Sequence, residues 1–173
     1  SKEIINKLIV PLKKKNYLKS CWESKTRIGD LTINGLDFVK FICEIARDRS
    51  KNKIIPKWIF NQKEENICGF LRGLFSADGT VIMRHGNPIV RFTNTDDDII
   101  RDTRRLLFLV GIANSCFKEK NPNKYNNKIS GTFSKHIVIK DVLKFKNNIG
   151  FLLNRKQRKL KCIKLHAGKK TYY

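Results

Sequence analysis

The stretch "GFLRGLFSADG", residues 69–79, holds the side chains whose type and spacing point to chemistry. Gly69, Gly73 and Ala77 fall four apart, with Phe70, Leu71, Leu74 and Phe75 between them. That is a helical apolar pattern with one side reduced to small residues, and it ends in Asp78-Gly79. With no branched side chains in the way, two helix backbones can approach closely. Two copies packed side by side would set their Asp78 carboxylates next to each other. Adjacent carboxylates repel unless a divalent cation lies between them, and hard oxygen ligands favour Mg²⁺ or a similar ion. Cations held this way activate water and stabilise the leaving oxygen of a phosphodiester. Spacing alone also allows a plainer reading, a core helix that ends in a turn aspartate.

The rest of the chain favours a polyanionic partner. Across 173 residues, 37 Lys and Arg face 15 Asp and Glu, a net charge of +22. Such a field attracts nucleic acid. From Lys140 to Tyr173 there are eleven basic residues and one acid, Asp141, a phosphate-facing or solvated surface. A membrane role is not expected, because no apolar run is long enough to span a bilayer and no long basic amphipathic helix stands out. "SKEIINKLIVPLKKK" at the start lacks a small-residue cleavage site and reads as no signal peptide. The five cysteines are scattered with no CxxC pair, so reduced thiols of a cytoplasmic protein are expected rather than a zinc site.

The elements that must position Asp78 follow from pattern. Residues 25–34 read as a strand, and residues 35–48 as a helix that Asn34 could cap. A basic connector follows over 49–60, interrupted by Pro56. Residues 61–75 are helical by pattern, with Gly79 as the stop. Residues 80–85 and 88–94 read as strands around a Gly86-Asn87 turn. Residues 95–111 form a helix capped by Thr95, favoured at its start by Asp96, Asp97 and Asp98 and ended by Gly111. Strands over 112–120 and 131–139 and helices over 140–150 and 151–165 complete an order α-β-β-α-β-β-α-α. The fold class is α/β in the α+β sense.

"LRGLFSADG" (71–79) resembles the LAGLIDADG motif of homing endonucleases, in the form found in inteins. Leu71, Gly73, Leu74, Ala77, Asp78 and Gly79 match, and Ser76 stands at the motif's first acidic position. "KIIPKWI" (53–59) resembles the K-x-I-P block before the second such helix. "IGFLLNRKQRKL" (149–160) resembles the Gly-Phe-then-Lys block that closes the second repeat. The resemblance spans residues 25–165. It implies an αββαββα unit whose antiparallel strands form a DNA-binding saddle in the major groove. The implied activity is site-specific double-strand cleavage with Mg²⁺ or Mn²⁺. Asp78 would bind the metal, with the Gly79 carbonyl, and Lys53 and Lys156 would be the catalytic lysines, Lys159 being the alternative register for the second. Gly69, Gly73 and Ala77 would form the helix–helix interface. Arg84, Arg91, Thr93, Lys118, Lys135 and His136 are candidates for base reading from one saddle face.

The implied partners are double-stranded DNA and either a second copy of the chain or another LAGLIDADG-bearing chain, in the cytoplasm at the nucleoid. Residues 1–60 resemble the end of a preceding repeat, 61–165 the endonuclease unit and 166–173 a tail. Only one LAGLIDADG motif is present, and no splicing block is seen, so protein splicing is not expected of this chain. The expectation is a part of a larger intein-type enzyme or a single-motif homodimer. The alternatives on the same fold are a DNA-binding regulator or RNA-binding maturase that does not cut DNA, and a degenerate intein remnant.

Overall fold

The computed structural model describes residues 20–23, 31–34, 40, 54–120 and 133–161. The chain divides into two units, residues 1–61 and 62–173. In the first unit, β1 (Ser20–Glu23) pairs antiparallel with β2 (Leu31–Asn34), Ser20 opposite Asn34 and Glu23 opposite Leu31. β2 is the last part of the strand expected over 25–34. β1 was not anticipated, since "SCWE" is too short to show a period. The expected helix over 35–48 lies outside the described residues except for Lys40, which is helical. Lys53 also lies outside them. Pro56 opens a 3₁₀ turn, Lys57–Asn61, by accepting from the Ile59 N–H at 3.1 Å. That turn claims Asn61, so the next helix begins three residues later than the pattern implied.

In the second unit, α1 (Glu64–Asp78) buries Ile67, Leu71 and Phe75 at four-residue spacing, with Cys68 and Ser76 beside them. Its start has no side-chain cap, and Glu64 and Glu65 complement the free N–H groups of the first turn. The helix runs past Phe75 to Asp78 and passes into β3 (Gly79–Arg84) with no loop. Gly79 ends it in an extended conformation, φ −85° and ψ 154°, rather than a left-handed one. Glycine is needed here for closeness, because a Cβ would lie 2.5 Å from the Phe75 carbonyl oxygen.

β3 and β4 (Asn87–Asn94) form a hairpin with Arg84 opposite Asn87. The turn residues are therefore His85 and Gly86, at φ 48° and 77°, and not the expected Gly86-Asn87. Two positive φ values make the tight mirror-image turn that matches strand twist. α2 (Asp97–Leu109) is capped by Asp96, whose Oδ1 accepts from Asp98 N at 2.8 Å and Ile99 N at 3.2 Å. Thr95 is not the cap. Gly111, at φ 68°, ends this segment as expected, and Ile112 N reaches back to the Leu107 carbonyl at 2.7 Å. β5 (Ser115–Lys120) and β6 (Phe133–Ile139) follow, then α3 (Val142–Asn148) and α4 (Asn154–Lys161).

The four strands make one antiparallel sheet in the order β3-β4-β6-β5, with Val90 opposite Ile139 and Phe92 opposite Ile137. The fold class is the mixed helix-and-antiparallel-sheet arrangement expected. α1 and α2 pack on each other and on the sheet, while α3 lies against β4 and α4 against β3. A run of phenylalanines joins these layers. Phe75 of α1 sits 5.2 Å from Phe92 and 5.0 Å from Phe145, which is 5.3 Å from Phe151. Among the described residues no helix is long and apolar enough to cross a membrane.

Candidate functional site

Among the described residues, the face of α1 opposite Leu71 and Phe75 is bare: a Cβ at Gly69 or Gly73 would meet none of them within 4 Å. Ala77 is exposed at the end of the same face, and Asp78, also exposed, is the last residue of the helix. The helix thus spends one side on the core and presents small residues on the other, finishing on a carboxylate.

A segment from far along the chain closes the end of α1. Arg72 Nε donates to the Ile149 carbonyl at 2.5 Å. The buried Ser76 hydroxyl donates to the Arg72 carbonyl at 2.5 Å and accepts from Leu152 N at 2.7 Å. Gln157 Oε1 accepts from Phe151 N at 2.8 Å and pins the entry to α4. These bonds set α4 so that Lys156 Nζ donates to the carbonyls of Ser76 and Ala77, at 2.7 and 3.0 Å. Carbonyls of a last helical turn have no partner within the helix, and a lysine is well suited to them. The Lys156 ammonium also lies 5.9 Å above the Phe151 ring. Burial pushes its pKa down and the Arg155 charge adds to that, while the negative charge of Asp78 opposes both.

Two of the three residues named for catalysis, Asp78 and Lys156, therefore stand at the same end of α1, where Lys156 feels the Asp78 charge. Of the two lysine registers, it is Lys156 that reaches this point; Lys159 is exposed on α4. Arg72 and Gln157 were not named from sequence, and Ser76 was named only as the residue at the motif's first acidic position. The spacing of Arg72 and Ser76 permits the hydroxyl-to-carbonyl bond one turn back, but their partners Ile149 and Leu152 leave no local signal. The bonds also account for serine at the position of the first acidic residue. A carboxylate could accept from Leu152 N but could not donate to the Arg72 carbonyl.

Among the described residues no group of three or more His, Cys, Asp or Glu could hold a metal ion. The donor set at the end of α1 is one exposed carboxylate with the Gly79 backbone next to it. These hard oxygens suit Mg²⁺ or Mn²⁺ but form an incomplete shell.

The six base-reading candidates do not share one face of the sheet. Register places Arg91 opposite Thr80 and Val138, and Thr93 opposite His136, on the side turned away from Phe92 and α1. Arg84, exposed at the end of β3, has the same parity. Lys118 and Lys135 are opposite each other with the parity of Cys116 and Ile137, on the helical side. Lys135 is buried in an ion pair with Asp97 at the start of α2. That pair, with the Lys118 charge, holds the exposed Asp97 carboxyl below the usual range, the Lys135 hydrogen bond being the main cause. The two lysines are therefore corrected from the shared face to the other.

On the face turned away from α1, Thr93 Oγ1 lies 2.8 Å from His136 Nδ1, and the Phe117 ring stacks 4.9 Å from the imidazole. Burial lowers the His136 pKa and the Arg91 charge adds to this, against the opposing pull of Glu119. Arg91 Nε is buried without a hydrogen-bond partner among the described residues.

Residues 65–150 match a family profile described as "LAGLIDADG-like domain". The chain belongs to the LAGLIDADG family. The matched residues hold α1, the four-stranded sheet, α2 and α3. The LAGLIDADG chain is 44% identical over 172 residues, 99% of its length, to a DNA polymerase of Thermococcus hydrothermalis. It is 43% identical over 160 residues to a DNA polymerase of Thermococcus litoralis. It is 34% identical over 110 residues, 59% of its length, to the replicative DNA helicase DnaB of Rhodothermus marinus. The LAGLIDADG chain spans about a tenth of the length of these curated relatives, 10%, 9% and 11% in turn.

Proposed function

We propose that this chain is the DNA-cutting part of an intein-type homing endonuclease, a site-specific double-strand DNA hydrolase. The observation that carries the reading is Lys156 held on the last carbonyls of a helix that finishes on Asp78 and whose adjoining face is bare among the described residues. The relatives support it. A segment shared by a polymerase and a helicase, and filling only a tenth of each, performs the task of neither. It fits an insertion carried within host genes, and the LAGLIDADG family supplies the kind of insertion.

Asp78, with the Gly79 carbonyl, is the residue that would hold Mg²⁺ or Mn²⁺. A cation there supplies charge stabilisation for a phosphodiester under attack. One chain offers one such carboxylate among its described residues, and a second LAGLIDADG helix, from another copy, another chain or a further part of a larger enzyme, would pack on Gly69, Gly73 and Ala77. Lys156 is fixed by two carbonyls, so its ammonium needs no reorganisation to face a phosphate oxygen. Its lowered pKa brings it nearer to exchanging a proton at neutral pH. Arg84 and Arg91, on the sheet face that also carries Thr93 and His136, would meet base edges, and Lys53, which the resemblance names for catalysis, lies outside the described residues. A site of this kind works on chromosomal DNA, hence at the nucleoid in the cytoplasm.

The test begins with solution mass by light scattering at high salt, alone and with duplex DNA. Mg²⁺-dependent cleavage of a randomised plasmid library follows, with Asp78→Asn and Lys156→Met beside the unmodified chain. The expected result is a dimeric assembly, loss of cutting in Asp78→Asn and retained DNA binding. Unaltered cutting by Asp78→Asn would overturn the assignment. Sequence-specific binding with no cutting by the unmodified chain would identify a DNA-binding regulator instead.

A further inference from the structure

We infer that Glu119 is a specificity-determining residue that selects cytosine at one position of the target duplex. This rests on the DNA reading above and goes beyond it by assigning one acid a base. The four strands of the sheet contain one acidic residue, Glu119, in a chain with net charge +22. Its register, opposite Ser134 and two residues from Phe117, places it on the face that also carries Arg91, Thr93 and His136. A carboxylate on a surface that approaches phosphates weakens binding to every duplex alike. It gains something back only where a base edge offers a donor with no acceptor beside it. In the major groove that is cytosine, through its N4 amine. Guanine and thymine present acceptors, and the adenine amine has N7 next to it.

The acid is also held. Its side chain is 61% exposed, yet Oε2 lies 3.2 Å from His136 Nε2. His136 is itself only 5% exposed. Its ring is fixed on one side by Phe117 and at Nδ1 by the Thr93 hydroxyl, 2.8 Å away. A hydroxyl that donates to Nδ1 leaves the ring proton on Nε2, facing the carboxylate. Nε2 lies 3.2 Å from Oε2, so its N–H dipole steadies Glu119 while the outward lone pairs of the exposed carboxylate are left to accept from a base. Thr93, His136 and Glu119 thus form a line across β4, β6 and β5 that ends in an oriented acceptor.

The experiment is selection of binding sites from a randomised duplex library at fixed salt. The full chain is used in an Asp78→Asn background so that bound duplex is recovered uncut, with and without Glu119→Gln. The expected site has one position where cytosine is favoured about tenfold. Glu119→Gln removes that preference, leaves the other positions as they were and tightens binding to random duplex. An unchanged preference at every position in Glu119→Gln would overturn the role of Glu119 and leave the DNA reading standing. Failure of the parent chain to enrich any sequence would overturn both.

Discussion

The bare face of α1 makes a prediction with opposite signs in the isolated chain and in the assembly. Glycine within a helix costs about 1 kcal/mol relative to alanine. At Gly69 and Gly73 an added methyl meets none of the described residues within 4 Å. Gly69→Ala with Gly73→Ala should therefore stabilise the monomer by roughly 2 kcal/mol. Unfolding entropy of about 2 cal/mol/K per residue turns this into a rise in Tm of roughly 5–9 °C, depending on whether the whole chain or residues 62–173 unfold together. Gly79→Ala is the internal control. The same methyl there would lie 2.5 Å from the Phe75 oxygen, and crowding of that kind costs about 1–3 kcal/mol. Melting is followed by circular dichroism at high salt and at concentrations where light scattering reports monomer. In the assembly, the two added methyls stand where a second helix would pack. The double substitution should thus raise monomer Tm while lowering the dimer fraction and the cutting rate. A fall in monomer Tm would refute the reasoning, because it would mean the face is already covered within the chain.

Ser76→Ala leaves the Leu152 N–H without its acceptor and should lower the unfolding free energy by about 1–3 kcal/mol, read from urea titration; it should also reduce cutting by loosening Lys156. Asp96→Ala should cost about 1 kcal/mol of stability, whereas Thr95→Ala should change it by less than about 0.5 kcal/mol. Equal effects of the two would contradict the cap. The folded pKa of His136 lies below its unfolded value, through burial first and Arg91 second. Protonation therefore favours the unfolded chain. Its contribution to stability is complete above the unfolded pKa of about 6.5 and is lost as pH falls below it toward the folded value. Unfolding free energies at about pH 7.5 and about pH 5.5 should show this loss, and His136→Gln should show less of it.

The order of elements from α1 to α4 was legible because each carries its own period, and α2 announces itself with three aspartates and a closing glycine. Boundaries were less so. Thr95 and Asp96 are both good caps, and only the Asn94 Oδ1 bond to Asp96 N, at 2.9 Å, and the turn it makes decide between them. At the hairpin, Gly86 was visible as a turn residue, but a histidine with φ 48° was not. The small-residue face and the aspartate that ends α1 were visible in the spacing, which by itself also allowed a plain core helix. Lys156 came only through the resemblance, and its supports Arg72 and Ser76 act on residues more than 70 positions away. One error was avoidable. Lys135 and His136 are neighbours in a strand, and neighbours in a strand point to opposite faces.

The bond between Lys156 and the end of α1 links residues 79 and 80 positions apart. At a synthesis rate of about 5–20 residues per second, Lys156 follows Asp78 out of the translating machinery by roughly 4–16 s. During that interval α1 and the hairpin can form, but the carboxylate stands without its lysine. The constellation is completed only when α4 has been made, so the carboxylate stays unarmed until that segment emerges.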